Sequence, residues 1–439
     1  MSFARSLLIR GRLLTALIAL VFGGSTKARA QSEWVVHSFN SPFGVQGVSP
    51  MGNLVADSAG NLYGTTLEGG SAKYWGVFYE LVQPVPPKTA WTEIVLYNFT
   101  AGNHGGEPQA GVIFDKAGNL YGTTTRAGDF RHGTVFQLIP PATPGGKWTE
   151  STLHSFDPAS GDGSSPIGEL ALDSAGNLYG VTEYGGANQR RACANSIHPG
   201  CGAVFQLSPP ATPGGTWTET ILHSFNYKQG GFPEGGAILD ANGVLYGTTY
   251  EGGAYGDGVV YKLAPPAVEG DAWAYRVIHP FHPLSGSAEG GYPRGALTLH
   301  GSGVLYGTTW AQGVYGGGTV FQLVPPASAG GAWTENILYS FGAQSDDGGG
   351  PAANVIFGTA GNIFGTTSEG ITGNAGTVFQ LTPPTSSGAD WTETVLHSFG
   401  EANDGAMPSG GLIIRNGVLY GVTQGGGTNG EGTVYAVTK

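Results

Sequence analysis

"GNLYGTTTRAGDFRHGTVFQLIPP" (residues 118–141) reads as two short β-strands joined by a glycine-bearing loop, and close copies of it recur down the chain. "GNLYGTTLEGG" stands at 60–70, "GNLYGVTEYGG" at 176–186, "GVLYGTTYEGG" at 243–253 and "GVLYGTTWAQG" at 303–313. "GNIFGTTSEG" at 361–370 and "GVLYGVTQGGG" at 417–427 complete seven copies. The aromatic of the motif falls at Tyr63, Tyr121, Tyr179, Tyr246, Tyr306, Phe364 and Tyr420, in steps of 58, 58, 67, 60, 58 and 56 residues.

Each period holds four strand-like runs. In the second they are "PQAGVIFD" (108–115), "NLYGTT" (119–124), "GTVFQL" (133–138) and "WTESTLHSF" (148–156). Four short strands per period, repeated seven times, are the signature of an all-β, seven-bladed β-propeller with antiparallel blades. A β-solenoid would use shorter periods, and separate sandwich domains would need roughly a hundred residues each. A proline precedes the first run every time, at Pro50, Pro108, Pro166, Pro233, Pro293, Pro351 and Pro408. At a strand entry its missing N–H would cost no ladder bond. With the runs lettered a to d from that proline, the seventh set (408–439) lacks strand d. The segment "SEWVVHSF" (32–39) is a strand d with no blade of its own. Pairing the two closes the ring and removes an open edge. Blades are therefore expected at 50–99, 108–156, 166–225, 233–281, 293–341, 351–399 and 408–439 plus 32–39, as one domain spanning 31–439.

The extreme N-terminus reads as an export signal. Arg5, Arg10 and Arg12 precede the apolar run "LLTALIALVFGG" (13–24), and "ARA" at 28–30 places cleavage near Ala30. The run is shorter than a membrane-spanning helix requires, and no later segment is expected to cross a bilayer. A secreted or periplasmic monomer is expected. Cleavage removes five basic residues and no acidic ones, taking the formal charge from −12 to about −17. So acidic a surface repels nucleic acid and anionic lipid and tolerates neutral glycans, cationic groups and metal ions. The two cysteines, Cys193 and Cys201, lie in "CANSIHPGC", an insertion peculiar to the third repeat. After export they are expected to form a disulfide, the alternative being a metal site with His198.

Several conspicuous residues fall at repeated positions and are read as structural. Trp34, Trp91, Trp148, Trp217, Trp273, Trp333 and Trp391 are taken as one position at the start of strand d, packing blade on blade. His37, His154, His223 and His397 belong to a repeated "HSF" where Tyr97 and Tyr339 substitute, so they are not a shared metal-ligand position.

The unit "P-x-x-G-L-x-x-D-x-x-G-N-L-Y-G-T-T-x-x-G-G…G-T-V-F-x-L" resembles the GloVer-type tandem repeat of exported bacterial proteins, over nearly all of the chain beyond residue 30. The resemblance implies a repeat fold and export. That family carries no activity or catalytic residues to transfer.

Antiparallel order puts the a–b turns and c–d loops at one end of the ring, the bottom, and the b–c and d–a loops at the other. The a–b turns are nearly uniform and the top loops vary, so the top face is where binding is expected. The b–c loops offer Glu68, Arg126, Tyr184, Tyr250, Glu251, Trp310 and Glu369, with His132 beside them. The d–a loops offer Asp162, Asp346, Asp347, Asp404, His104 and His282. Rim aromatics such as Trp310, Tyr250 and Tyr184 could stack on sugar rings, which suits a binding or scaffold protein for a glycan or an extracellular protein. The alternative is a glycan lyase or glycosidase, for which Tyr184 with Arg126 or His132 would be the catalytic candidates. No cofactor is expected. Calcium at the Asp-Gly turns is the one metal considered, and their spacing matches no EF-hand or nonapeptide loop.

Overall fold

The third repeat shows how each copy folds. Strands a (Gly163–Leu172), b (Leu178–Gly185), c (Ala203–Ser208) and d (Thr218–Ser224) form a four-stranded antiparallel sheet in chain order. The computed structural model describes residues 33–40, 46–72, 74–143, 145–188, 193, 199–212, 214–268, 270–282, 288–328, 330–344, 347–370, 375–386 and 388–439. The leader at 1–30, His198 and Asp346 lie outside the described residues. Seven such sheets form a closed seven-bladed propeller. Closure is as the strand count required: Glu33–Ser38 pairs antiparallel with Thr433–Thr438 as the outer strand of blade 7. Strand c is enclosed on both faces, as in Val77–Val82, whereas strand d alternates exposed and covered residues, as in Thr392–Ser398.

Blade-to-blade packing repeats around the whole ring. The phenylalanine ending strand d meets the strand-c aromatic of the next blade edge to face, or tilted in the Phe341–Phe379 pair. The pairs are Phe99–Phe136, Phe156–Phe205, Phe225–Tyr261, Phe281–Phe321, Phe341–Phe379, Phe399–Tyr435 and, across the closure, Phe39–Tyr79. The strand-d tryptophan packs on the "LYG" tyrosine of the preceding blade, as in Trp217–Tyr121 at 6.2 Å and Trp91–Tyr420 at 6.2 Å. Trp34 is a correction to the expected series. It stands three residues before His37, where the other tryptophans stand six before the equivalent histidine or tyrosine. Its register partner is Ala436, the place held by Thr394 opposite Gln380 in blade 6, and it is 38% exposed. Glu33 is therefore the residue that occupies the repeated glutamate position.

The prolines also need correcting. Pro50 and Pro408 end short strands, Gly47–Pro50 and Gly405–Pro408, and Pro166 lies within strand a, so they do not mark strand entry. Each proline ring packs on the glycine before strand c of the previous blade. A Cβ at Gly133 or Gly432 would lie 2.6 Å from Pro166 Cδ or Pro50 Cδ, respectively. Those glycines have φ of +95° and +96°, which L side chains adopt at a cost.

The glycine of "LYG" has a different reason. At Gly307 an added Cβ would sit 2.5 Å from Phe321 Cζ and 2.9 Å from Leu297 Cδ2, both buried. Gly307→Ala should destabilise the protein by about 1–3 kcal/mol by overpacking, read from a denaturant midpoint. The same ring position holds tyrosine in blades 1, 4 and 7, and the Tyr261 hydroxyl is enclosed without a hydrogen-bond partner. Tyr261→Phe should therefore stabilise by about 1 kcal/mol, because it removes an unsatisfied polar group and keeps a ring four blades already use. A lower melting temperature for that variant would contradict this packing.

Candidate functional site

Between its two paired segments strand a leaves the ladder. In blade 1, Pro50 pairs with Thr66 and Val55 with Tyr63, so four residues face two. In blade 3, Ile167 pairs with Val181 and Ala171 with Tyr179, so three face one. These bulges swing the residues after each proline towards the axis. Together with the residue following "LYGTT" or its equivalent, they line an axial cavity of about 550 Å³ to which all seven blades contribute. It lies where strands a begin and strands b end, on the face with the variable loops.

Amides and one carboxylate cross the axis in its depth. Asn53 Nδ2 donates to Asn354 Oδ1 at 3.1 Å, the Gly411 N–H donates to Asn53 Oδ1, and Asn53 also hydrogen-bonds Glu169. Glu183 and Glu234 lie on the wall and Glu369 is exposed at the rim. Arg294 Nε is 3.3 Å from Glu234 Oε2, and its guanidinium lies 4.7 Å from the Trp310 ring centre and 4.9 Å from that of Tyr250. Burial pushes Glu169 up to about 7 despite Asn53, and Glu234 up to about 7 despite Arg294. Burial also raises Glu183, against a hydrogen bond from Tyr184 and the Arg294 charge. The cavity is thus polar and anionic, with carboxyls that take up protons near neutrality.

Of the residues expected from the sequence, Trp310 and Glu369 line this cavity, and Tyr250 adjoins it through Arg294. Tyr184 stands behind Glu183, edge-on to Phe232 at 5.8 Å. Glu251 accepts from the Tyr227 hydroxyl at 3.3 Å, and Glu68 is exposed opposite Val48. Arg126 is 3.0 Å from Glu107. His132 Nδ1 is 2.9 Å from the Ser164 hydroxyl, and Ser164 pairs with Tyr184 in the sheet. His132 and Tyr184 thus share a neighbour, while Arg126 turns to Glu107. None of these three lines the cavity. Missing from the sequence-derived set are Glu169, Glu183, Glu234, Arg294, Asn53 and Asn354. For Glu234 and Arg294 the signal was variation inside a repeat, since the residue after the proline runs Met, Gln, Ile, Glu, Arg, Ala and Ser through the blades.

The repeated histidines bind neighbouring blades. His154 Nε2 is 2.8 Å from Asp162, beside Glu219 of the next blade. His279 is 3.0 Å from Glu289 and 3.5 Å from Glu335, and His397 is 3.0 Å from Asp404, beside Glu33. Each set brings one imidazole and two carboxylates within 4.8 Å, close enough to hold a cation. At the equivalent place Tyr339 donates to Asp347 at 3.2 Å, which matches a hydrogen-bonding role between blades. His104 and His282 are engaged by Glu150 and by stacking on Tyr255. Cys193 and Cys201 are disulfide-bonded and buried in the core between blades 3 and 4. Among the described residues no helix is long and apolar enough to cross a membrane.

A family profile described as the Gloeobacter/Verrucomicrobia repeat matches residues 25–192 and 191–435. No curated protein matches the chain by sequence. Among solved structures, the chain is similar to the extracellular domain named for a one component system of B. thetaiotaomicron. The TM-score there is 0.52 at 13% identity, over 93% of this chain and 42% of that one. It also resembles a Trichoderma reesei carbohydrate-active enzyme of family AA12, with TM-score 0.41 and 14% identity over 94% and 96% of the two chains. At 13% identity the first likeness speaks for the fold alone, and the second carries no argument.

Proposed function

The chain belongs to the Gloeobacter/Verrucomicrobia repeat family, and we propose that it is an exported binding protein that takes a glycan into the axial cavity of its ring. The observation that carries this reading is the cavity itself. Its volume lies in the ordinary small-ligand range of roughly 300–1,000 Å³, and the Trp310 ring, with Arg294 over one face, stands among amide, hydroxyl and carboxyl groups. Sugar rings present that same mixture, an apolar face and a belt of hydroxyls. Export is supported by the leader-like N-terminus and by a disulfide, which persists in oxidising compartments.

Trp310→Ala should weaken binding of a retained glycan by tenfold or more, on the order of 1–3 kcal/mol for a buried aromatic contact, with the melting temperature little changed. A glycan array followed by calorimetry on the purified protein tests this. An array without a retained glycan would sink the reading.

Glycan hydrolysis is the second reading, favoured by Glu169 and Glu234. A carboxyl still protonated near pH 7 can donate a proton to a leaving oxygen. The lyase form gains no such support, because the arginine at the cavity is already engaged by Glu234. New reducing ends released from the bound glycan would favour hydrolysis over binding alone.

A further inference from the structure

We propose that the axial cavity selects a ligand bearing a protonated amine, such as an oligosaccharide with unacetylated amino-sugar units, recognised by Glu169, Glu183 and Glu234. The inference rests on the reading of the cavity as a ligand site and adds the charge of the ligand to it.

Three carboxylates from blades 3 and 4 face the cavity, and Arg294 is the one basic side chain among its described lining residues. That guanidinium is spent on Glu234 and on the faces of Trp310 and Tyr250. Its position shows which partner the wall suits, since carboxylate and aromatic faces together form a cation-binding surface. Glu183 and Glu169 have neutral hydrogen-bond partners, Tyr184 and Asn53; the Arg294 charge reaches Glu183, but among the described residues no cation forms an ion pair with either. The remaining charged neighbours, Glu251 and Glu369, are acidic as well. Without a ligand such a set lowers its cost by taking up protons. An ammonium replaces those protons, forms charge-assisted hydrogen bonds and neutralises the wall. An anionic ligand, a uronate for instance, would add a like charge to the same space.

The experiment is calorimetry at pH 6.5 with three probes: a glucosamine tetramer, its fully N-acetylated counterpart and spermidine. The expected result is at least tenfold tighter binding of the glucosamine tetramer than of the acetylated one. Proton release should appear as a dependence of the measured heat on the buffer's ionisation enthalpy. Glu183→Gln and Glu169→Gln should each cost about tenfold in affinity for the glucosamine tetramer while leaving the melting temperature at pH 6.5 unchanged or higher. Equal binding of the two tetramers overturns amine selection and leaves the glycan reading standing. Spermidine binding without either tetramer supports amine selection and overturns the glycan reading. If none of the three binds while other glycans on an array do, amine selection alone falls.

Discussion

A chain lacking residues 33–39 is expected to lose cooperative folding, because that segment completes both the last blade and the ring. Its strand supplies the outer ladder on Thr433–Thr438. Phe39 is fully buried and sits 5.1 Å edge-on to Tyr79 of blade 1. His37 lies 3.1 Å from Glu93, and the Ser38 hydroxyl and Phe39 carbonyl accept hydrogen bonds from Thr428 and Asn429. Truncating the Phe39 side chain alone should cost about 3–5 kcal/mol. Removing the whole segment also bares the edge of a strand buried from Thr433 to Val437, and the combined loss rivals the ~5–15 kcal/mol that holds an ordinary domain together. The expected readout is a broad or absent thermal transition with self-association on size-exclusion chromatography. A synthetic peptide spanning residues 31–40 should restore the transition. A truncated protein that stays monomeric and melts within a few degrees of the full chain would refute closure as a stabilising device.

The second large effect is a fall in stability as pH rises from about 4.5 to about 7. Burial raises Glu169, Glu219, Glu234 and Glu335 to about 7. In the unfolded chain these groups titrate near 4.5, so through the intervening window the folded state binds more protons. Stability then falls with each pH unit gained, and the advantage is gone above the folded values. Each group contributes on the order of 1–3 kcal/mol, two in the axial cavity and two between blades. His223 acts in the opposite sense. Burial lowers it to about 4, so the folded state resists a proton that the unfolded chain accepts below 6.5. One such histidine against four carboxyls leaves the net slope negative, and the acidic surface adds repulsion in the same direction. Melting temperature should peak near pH 5 and drop by pH 8, in a chelator-containing buffer series at constant ionic strength. Glu219→Gln and Glu335→Gln should each flatten the slope and raise stability at pH 8. A profile that is flat or rising from pH 5 to 8 would contradict the burial of these groups.

The same polar contacts show how far local pattern reaches. The Asp-x-x-Gly-Asn turn was legible because its network is short in sequence: Asp115 takes hydrogen bonds from the backbone and side chain of Asn119 and from Tyr121. The second threonine of "GTT" works over ten or eleven residues in most blades, as where Thr66 Oγ1 accepts the Val77 N–H. Trp34 misled because a single tryptophan near "HSF" looks like its fellows until register places it three residues away from them. Arg126 looked available in the sequence and meets Glu107 in space.

Repeat spacing, turn chemistry and the orphan strand at one end of the chain were enough by themselves to determine seven antiparallel blades and a ring that closes on itself. The blade depends on contacts within one period, where neighbouring residues dictate the outcome, and the closure, although it pairs Glu33–Ser38 with Thr433–Thr438, follows from counting strands. Only the tertiary structure decided that the bulged inner strands carry Glu169, Glu183, Glu234 and Arg294 to one axial cavity, and that Asn53 reaches Asn354 across 301 residues of chain. Which side chains converge on an axis depends on ring radius, blade twist and bulge geometry together, and these are properties of the closed assembly that no single repeat encodes.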